Sequence, residues 1–214
     1  MNVIIIKPEN KHVETMIILH GMNQDINDIH FIINKIKKNK SGIKFIIPVA
    51  KKMTIDWPSG SEKNCLSWYN YFTRYDNLIK HDIIDLIQFE DATKFVTDII
   101  NKESKLIEHS MITLIGISQG GTVCINAALR LNFKIKNIKC IDTIFLHNYY
   151  KYRECKSQVF QVLQSRYDVI YNPFFQKYCY NLLKSYNNEV NLFYRNRGHC
   201  ENLDSIARFI INNS

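Results

Sequence analysis

The chain has 214 residues, of which 46% are hydrophobic and 22% charged, with a net charge of +8. That length supports one substantial core, predicts a single domain over 1–214, and the composition excludes a disordered or fibrous protein. No run approaches the roughly eighteen apolar residues of a membrane span, and the basic residues form no stripe interleaved with aromatics, so no nucleic-acid partner is expected.

Short basic clusters, Lys35 to Lys40 and Lys134 to Lys139, read as solvated faces. The positive charge leaves weak association with anionic membrane surfaces as the one partner that composition suggests. Cysteines at 65, 124, 140, 155, 179 and 200 have no Cys-x-x-Cys spacing and read as reduced, mostly buried thiols. Neither His-x-x-x-His nor His-Glu-x-x-His occurs, so no metal site is expected. Met1 to Pro8 holds a four-residue apolar stretch without a basic region before it or a cleavage site after it, and the expected location is cytoplasmic.

Val3 to Ile6 and Thr15 to Leu19 read as strands, the second apolar throughout, as a central parallel strand should be. His20-Gly21-Met22 follows at once. A glycine turn at the carboxyl end of a strand suits a loop that lends an N–H to an oxyanion, and His20 itself reads as a packed, hydrogen-bonded ring. Ile26 to Lys38 has helical spacing through Ile29, Ile32, Ile33 and Ile36, and Ile43 to Val49 is the next strand. From about 51 to 87 the pattern weakens. This segment, with the aromatic cluster Ser67-Trp68-Tyr69-Asn70-Tyr71-Phe72, reads as an irregular cover, its aromatics serving packing more than a substrate wall. Phe89 to Lys105 is an amphipathic helix.

Met111 to Ile115 is then a short uncharged strand, and Thr122 to Leu131 a helix. Between them lies Gly116-Ile117-Ser118-Gln119-Gly120-Gly121. A Gly-x-Ser-x-Gly arises by chance in about one in a hundred chains of this composition. Strand, motif and helix together predict a nucleophile elbow, in which the serine sits at the tip of a strained turn and the glycines allow strand and helix to approach. Further strands are expected at Asn137 to Leu146, Ser157 to Gln164 and Glu189 to Tyr194, and helices at Pro173 to Ser185 and Asp204 to Ile211. Such alternation predicts an α/β fold with a mainly parallel sheet and helices on both faces.

A serine nucleophile needs a base, and the base an acid. Asp168 follows the strand ending near Gln164, and His199 follows the last strand in Arg197-Gly198-His199, which gives the order Ser, Asp, His. Five of the seven glycines, at 21, 116, 120, 121 and 198, fall at this expected site. Asp142, near the end of the strand after the elbow helix, is the rival acid. His109 and His147 lack a glycine turn, and Cys200 reads as a bystander beside His199.

Leu19-His20-Gly21, Ser67-Trp68-Tyr69-Asn70 and Gly116-Ile117-Ser118-Gln119-Gly120-Gly121 resemble, in order and spacing, the Leu-His-Gly, Trp-Phe-Asp and Gly-Phe-Ser-Gln-Gly-Gly segments of the acyl-protein thioesterase and carboxylesterase branch of the α/β-hydrolases. The resemblance runs from about Ile17 to His199. It implies an α/β-hydrolase fold and Ser118 as nucleophile, Asp168 as acid and His199 as base, with backbone N–H groups of Met22 and Gln119 as the oxyanion hole. It also implies small-molecule or protein-linked acyl ester or thioester substrates and no cofactor. This chain departs from the family at Asn23-Gln24-Asp25, where a Gly-Asp is usual, at Asn70 in place of Asp, and at Gln164-Ser165 in place of His-Gly. The expectation from another class is a hydrolase fold that retains the three side chains but serves as a binding module.

Overall fold

The computed structural model describes residues 1–38, 40–57, 60–72, 83–150 and 156–212. In chain order the elements are β1 (Asn2–Ile6), β2 (Glu14–Leu19), α1 (Ile26–Lys37), β3 (Ile43–Val49), β4 (Lys51–Trp57), β5 (Gly60–Ser67), α2 (Leu86–Glu103), β6 (Ile112–Ile117), α3 (Gln119–Ala128), β7 (Asn137–Ile141), β8 (Val159–Ser165), α4 (Pro173–Ser185), β9 (Glu189–Arg195) and α5 (Leu203–Asn212). Seven strands form one sheet in the order β1-β3-β2-β6-β7-β8-β9. Only its edge strand β1 runs antiparallel; the pairs inside it are parallel. Every residue of β2 and of β6 is buried, as central strands covered on both faces require.

Each face of the sheet has its own apolar core. One is built by α2, α3 and α4 against Ile17, Leu114, Ile138 and Phe160. The other is built by α1 and α5 against Met16, Ile18, Ile115 and Ile117. Capping residues start the helices where the sequence turns from loop to amphipathic pattern. Asp25 accepts from Asn27 N at α1, Asp85 from Gln88 N at α2, and Asn172 precedes Pro173 at the first position of α4.

Parallel register sets the rim that matters. Leu19 pairs with Gly116 and Gly116 with Cys140, while Ile141 pairs with Leu163 and Leu163 with Phe193. His20, Ser118, Asp142, Ser165 and Arg195 therefore lie at or just beyond neighbouring strand ends on the carboxyl edge, where functional groups gather in such sheets.

Three expectations need correction. The stretch from 51 is not irregular: β4 and β5 form a separate antiparallel hairpin. Its residues are mostly exposed, with Ile55 and Cys65 among the few that are buried, so backbone pairing holds it and leaves little apolar periodicity to read. Positions 58–59 and 73–82 of the expected cover lie outside the described residues. The strand expected to reach Leu146 ends at Ile141, because Asp142 takes a left-handed conformation with φ of 43°. Ile144, Phe145 and Leu146 are nonetheless buried, which is why the apolar run read as strand. Lys139 is not on a solvated face: it is fully buried on β7, and its Nζ donates to the Ile210 carbonyl at 2.9 Å. Cys65, Cys124, Cys140 and Cys179 are free and buried, Cys200 is free and half-buried, and Cys155 lies outside the described residues.

Candidate active site

The elbow helix begins three residues earlier than the expected Thr122. β6 runs to Ile117, α3 starts at Gln119, and Ser118 joins them with φ of 49° and ψ of −121°. A left-handed conformation is costly for a residue with a Cβ, and here neighbours hold it. Ser118 N donates to Ile141 O at 2.9 Å, and Gly121 N returns to Ser118 O at 2.9 Å. A side chain at Gly116 would meet Gly121 Cα at 2.5 Å and Cys124 Sγ at 2.6 Å, and one at Gly120 would collide with the His20 carbonyl and approach Leu19 O to 2.8 Å. Gly120→Ala is therefore expected to cost at least about 2 kcal/mol in stability, since backbone must move. Gly198→Ala should cost less, because only the flexible carboxylate end of Glu201 stands in its way. Denaturant melts of the two variants check the order.

Ser118 Oγ lies 2.9 Å from His199 Nε2, and His199 Nδ1 lies 2.9 Å from Asp168 Oδ2. The loops after β8 and β9 are laced together by Arg166 N to Arg195 O and Tyr167 N to Arg197 O, which brings the two side chains into contact range. The Asp168 side chain is fully buried. Its Oδ1 accepts from the N–H groups of Ile170 and Tyr171, both at 2.8 Å, and its Oδ2 also accepts from Gln176 Nε2 at 3.1 Å. These donors fix the orientation of the carboxyl group, and the Tyr171 ring meets His199 edge-on at 5.7 Å between centroids. At His199 burial opposes protonation, but the hydrogen bonds to Asp168 and Cys200 outweigh it and raise its pKa.

The rival carboxylate does something else. Asp142 does not touch the imidazole; it is fully buried and pairs with Arg195 at 2.6 Å. Cys200 stays a thiol, its pKa raised chiefly by burial. His109 stacks on Phe133, and His147 packs edge-on against Tyr178.

The loop after β2 presses on the elbow from the other side. A Cβ at Gly21 would sit 3.3 Å from Ser118 Cβ. Gln24 folds back so that its Oε1 accepts from Gly21 N at 2.8 Å, and Asn23 N donates to Leu66 O. Among the described residues, the N–H groups of Met22 and Gln119 have no acceptor. His20 is buried; its Nε2 accepts from Ala50 N at 3.1 Å, so Nδ1 carries the proton and donates to Gly21 O at 2.7 Å. Burial lowers its pKa against that backbone bond, which keeps the ring neutral. The side chain of Gln119 clasps the aromatic segment, accepting from Ser67 Oγ and Trp68 N and donating to Tyr69 O. Trp68, Tyr69 and Tyr71 are buried, the Tyr69 hydroxyl within 2.8 Å of Thr122 Oγ1 on the elbow helix, while Phe72 is exposed.

Sequence reasoning missed Gln176, the side chain of Gln119, and Arg195. Gln119 could have been suspected from its place inside the motif, but nothing local marks a glutamine on α4 as a partner of Asp168. Where the family has Asp, Asn70 accepts from Asp56 N and donates to the Asp56 carboxylate at 2.7 Å, a pairing that a second carboxylate would disfavour. Among the described residues no group of three His, Cys, Asp or Glu side chains is placed to hold a metal.

A parallel sheet with helices on both faces, a serine at a strand-to-helix elbow, and an acid and histidine on the next loops of the same rim together define an α/β-hydrolase. The chain belongs to the phospholipase/carboxylesterase family, whose sequence model matches residues 1–210. Among solved structures it is similar to Arabidopsis thaliana SOBER1, at 17% identity and a TM-score of 0.75, with 92% of this chain and 97% of that one covered. It is also similar to Zea mays acyl-protein thioesterase 2, at 15% identity and 0.74, covering 99% and 98%. The Bacillus cereus carboxylesterase follows at 14% and 0.70, covering 97% and 91%. Among curated proteins none matches the chain by sequence. No helix of the described residues is long and apolar enough to cross a membrane.

Proposed function

We infer that the protein is a serine esterase or thioesterase that cleaves acyl substrates through an acyl-enzyme. The observation that carries this reading is the unbroken chain of contacts from Ser118 Oγ to His199 Nε2 and from His199 Nδ1 to Asp168 Oδ2, each 2.9 Å.

In the reaction, His199 Nε2 takes the Ser118 proton as Oγ attacks the carbonyl carbon, and Asp168 stabilises the imidazolium. The carbonyl oxygen becomes an oxyanion held by the N–H groups of Met22 and Gln119. Loss of one such donor typically raises the barrier by about 3 kcal/mol. Collapse breaks the ester or thioester bond, and the leaving alcohol or thiol takes the proton from His199. Water, deprotonated by the same ring, then attacks the acyl-serine, and the acid is released as Ser118 Oγ takes that proton back from His199.

The rim beside Asp168 supports an apolar acyl group. Val169 is 76% exposed and Phe174 86%, with Ile170 half-exposed between them. Large apolar side chains left in solvent next to a reactive centre suit a substrate that covers them.

A fluorophosphonate probe should label the wild type in proportion to protein and fail to label Ser118→Ala. Turnover of p-nitrophenyl esters and acyl thioesters of increasing chain length should accompany labelling. Equal labelling of both proteins would remove Ser118 from the mechanism; labelling without turnover of any ester would favour a binding module.

A further inference from the structure

The loop that carries His199 is bolted down by a second carboxylate. Asp142 lies at the carboxyl end of β7, is fully buried, and has a left-handed backbone with φ of 43°. Its Oδ1 accepts from Ser165 N at 2.7 Å. Its Oδ2 accepts from Ser165 Oγ at 2.9 Å, from Arg195 at 2.6 Å and from the backbone N–H of Cys200 at 2.8 Å. Four donors occupy this carboxylate, and none of them is an imidazole.

Arg195 extends the clamp. It stands at the end of β9, before the His199 loop, and its Nε donates to Ser165 Oγ at 2.8 Å. Its remaining donors reach forward to the Glu201 carbonyl at 2.6 Å and to Ser205 Oγ at 2.5 Å. The guanidinium thus spans the loop from its entry at 195 to its exit at 205, and the Asp142 carboxylate holds its middle at Cys200. Cys200 itself has φ of 52°, a conformation costly for a residue with a side chain. That twist sends its N–H toward Asp142 while the preceding side chain points to Ser118. Strained residues persist where their surroundings over-determine them, and here Ser118, Asp142 and Cys200 are strained together around one point.

We propose that Asp142 is a positioning residue, which fixes the backbone of the His199 loop through Cys200 N–H so that the imidazole meets Ser118 and Asp168 at once. Two carboxylates on adjacent strand ends divide the work: Asp168 orients the ring, and Asp142 holds the backbone that bears it. The inference rests on the serine-hydrolase reading above. Positioning within about 1 Å decides such reactions, so loss of the anchor acts on turnover more than on substrate binding.

The test compares kcat, KM and thermal midpoint for p-nitrophenyl ester hydrolysis, with the fluorophosphonate labelling rate as a second readout. Asp142→Asn places an amide where three donors converge, and is expected to lower kcat and the labelling rate 10- to 100-fold with KM within threefold. Arg195→Lys keeps a charge beside Asp142 but gives up the fork to Ser165, Glu201 and Ser205. It is expected to lower kcat less than Asp142→Asn does, and a larger loss would make the guanidinium rather than the Asp142 anchor the positioning group and overturn the proposal. The double variant Asp142→Leu, Arg195→Met replaces the buried pair by apolar side chains, an exchange that proteins often tolerate without loss of stability. It should recover the thermal midpoint and leave kcat low. Recovery of kcat along with the midpoint would make the pair merely structural and overturn the proposal, as would an Asp142→Asn enzyme within twofold of wild type. Wild-type hydrolysis by Ser118→Ala would instead remove the underlying reading, whatever the Asp142 variants do.

Discussion

Asp168→Asn is expected to lower kcat for ester hydrolysis by about 10⁴-fold, with the fold intact. The carboxylate accepts the His199 Nδ1–H at 2.9 Å, and an asparagine that turned its amide nitrogen toward the ring would force the proton onto Nε2. Nε2 would then have no lone pair to accept the Ser118 proton. A second effect separates this from loose packing. In the wild type the hydrogen bonds to Asp168 and Cys200 outweigh burial, so the imidazole loses its proton only above its ordinary value of 6.5. Activity of the free enzyme should accordingly fall as pH is lowered, with a midpoint above 6.5. Without the Asp168 charge burial gains the upper hand, and the midpoint of the residual activity should move to lower pH. The pH profile of kcat/KM measures this. A variant that kept a tenth or more of wild-type turnover would show that Asp168 is not the acid, a role the contacts of Asp142 leave unfilled.

Lys139→Met is expected to stabilise the protein at neutral pH by about 1–3 kcal/mol. Lys139 is fully buried on the central strand β7, beneath α5, with the Ile210 carbonyl and the face of the Phe209 ring as neighbours. Burial, helped by the positive charges of Lys40 and Lys136 and opposed by Glu14, lowers its pKa from 10.5 to about 7. Between those two values the unfolded chain binds a proton that the folded chain does not, so stability should rise with pH across that window. The slope approaches about 1.4 kcal/mol per pH unit when one group dominates. Below pH 7 the cost of charging a buried ammonium is fully present. Methionine fills similar volume without the charge and gives up one hydrogen bond, worth about 1 kcal/mol. Chemical denaturation of both proteins at pH 7 and pH 9 tests it. The variant should be more stable at pH 7, and its stability should change less between the two conditions. A variant less stable at both pH values would show that the bond to Ile210 outweighs the burial cost.

Membership of the phospholipase/carboxylesterase family and the hydrolase fold agree with what could be read from Leu19-His20-Gly21 and from the elbow around Ser118. Such features are legible because they are local. A strand buried on both faces must be apolar along its length, as β2 and β6 are, and an elbow needs glycines on each side of the serine. The five glycines at the rim were conspicuous for the same reason: contacts under 3 Å leave no room for a Cβ at Gly116, Gly120 and Gly121. Ser118, Asp168 and His199 could be placed in order along the chain by counting strand ends, since each follows one.

What could not be read depended on segments distant in sequence. Whether Asp142 or Asp168 meets His199 turns on the paths of three loops, and the answer is set by Arg195, which reaches Asp142 across 53 positions. Gln176 becomes a partner of Asp168 only because α4 folds back over the loop that precedes it. The β4–β5 hairpin escaped notice because its pairing uses backbone groups, which every sequence supplies, and its surface is largely wet. Lys139 looked like part of a basic surface because a side chain's charge says nothing of which face of the sheet it enters. Amino-acid sequence by itself determined where the chain must be apolar, where it must lack side chains and which groups could react. Tertiary structure alone decided which carboxylate touches the imidazole and which cation is buried, because those are properties of proximity, and proximity between distant segments exists only after the sheet has assembled.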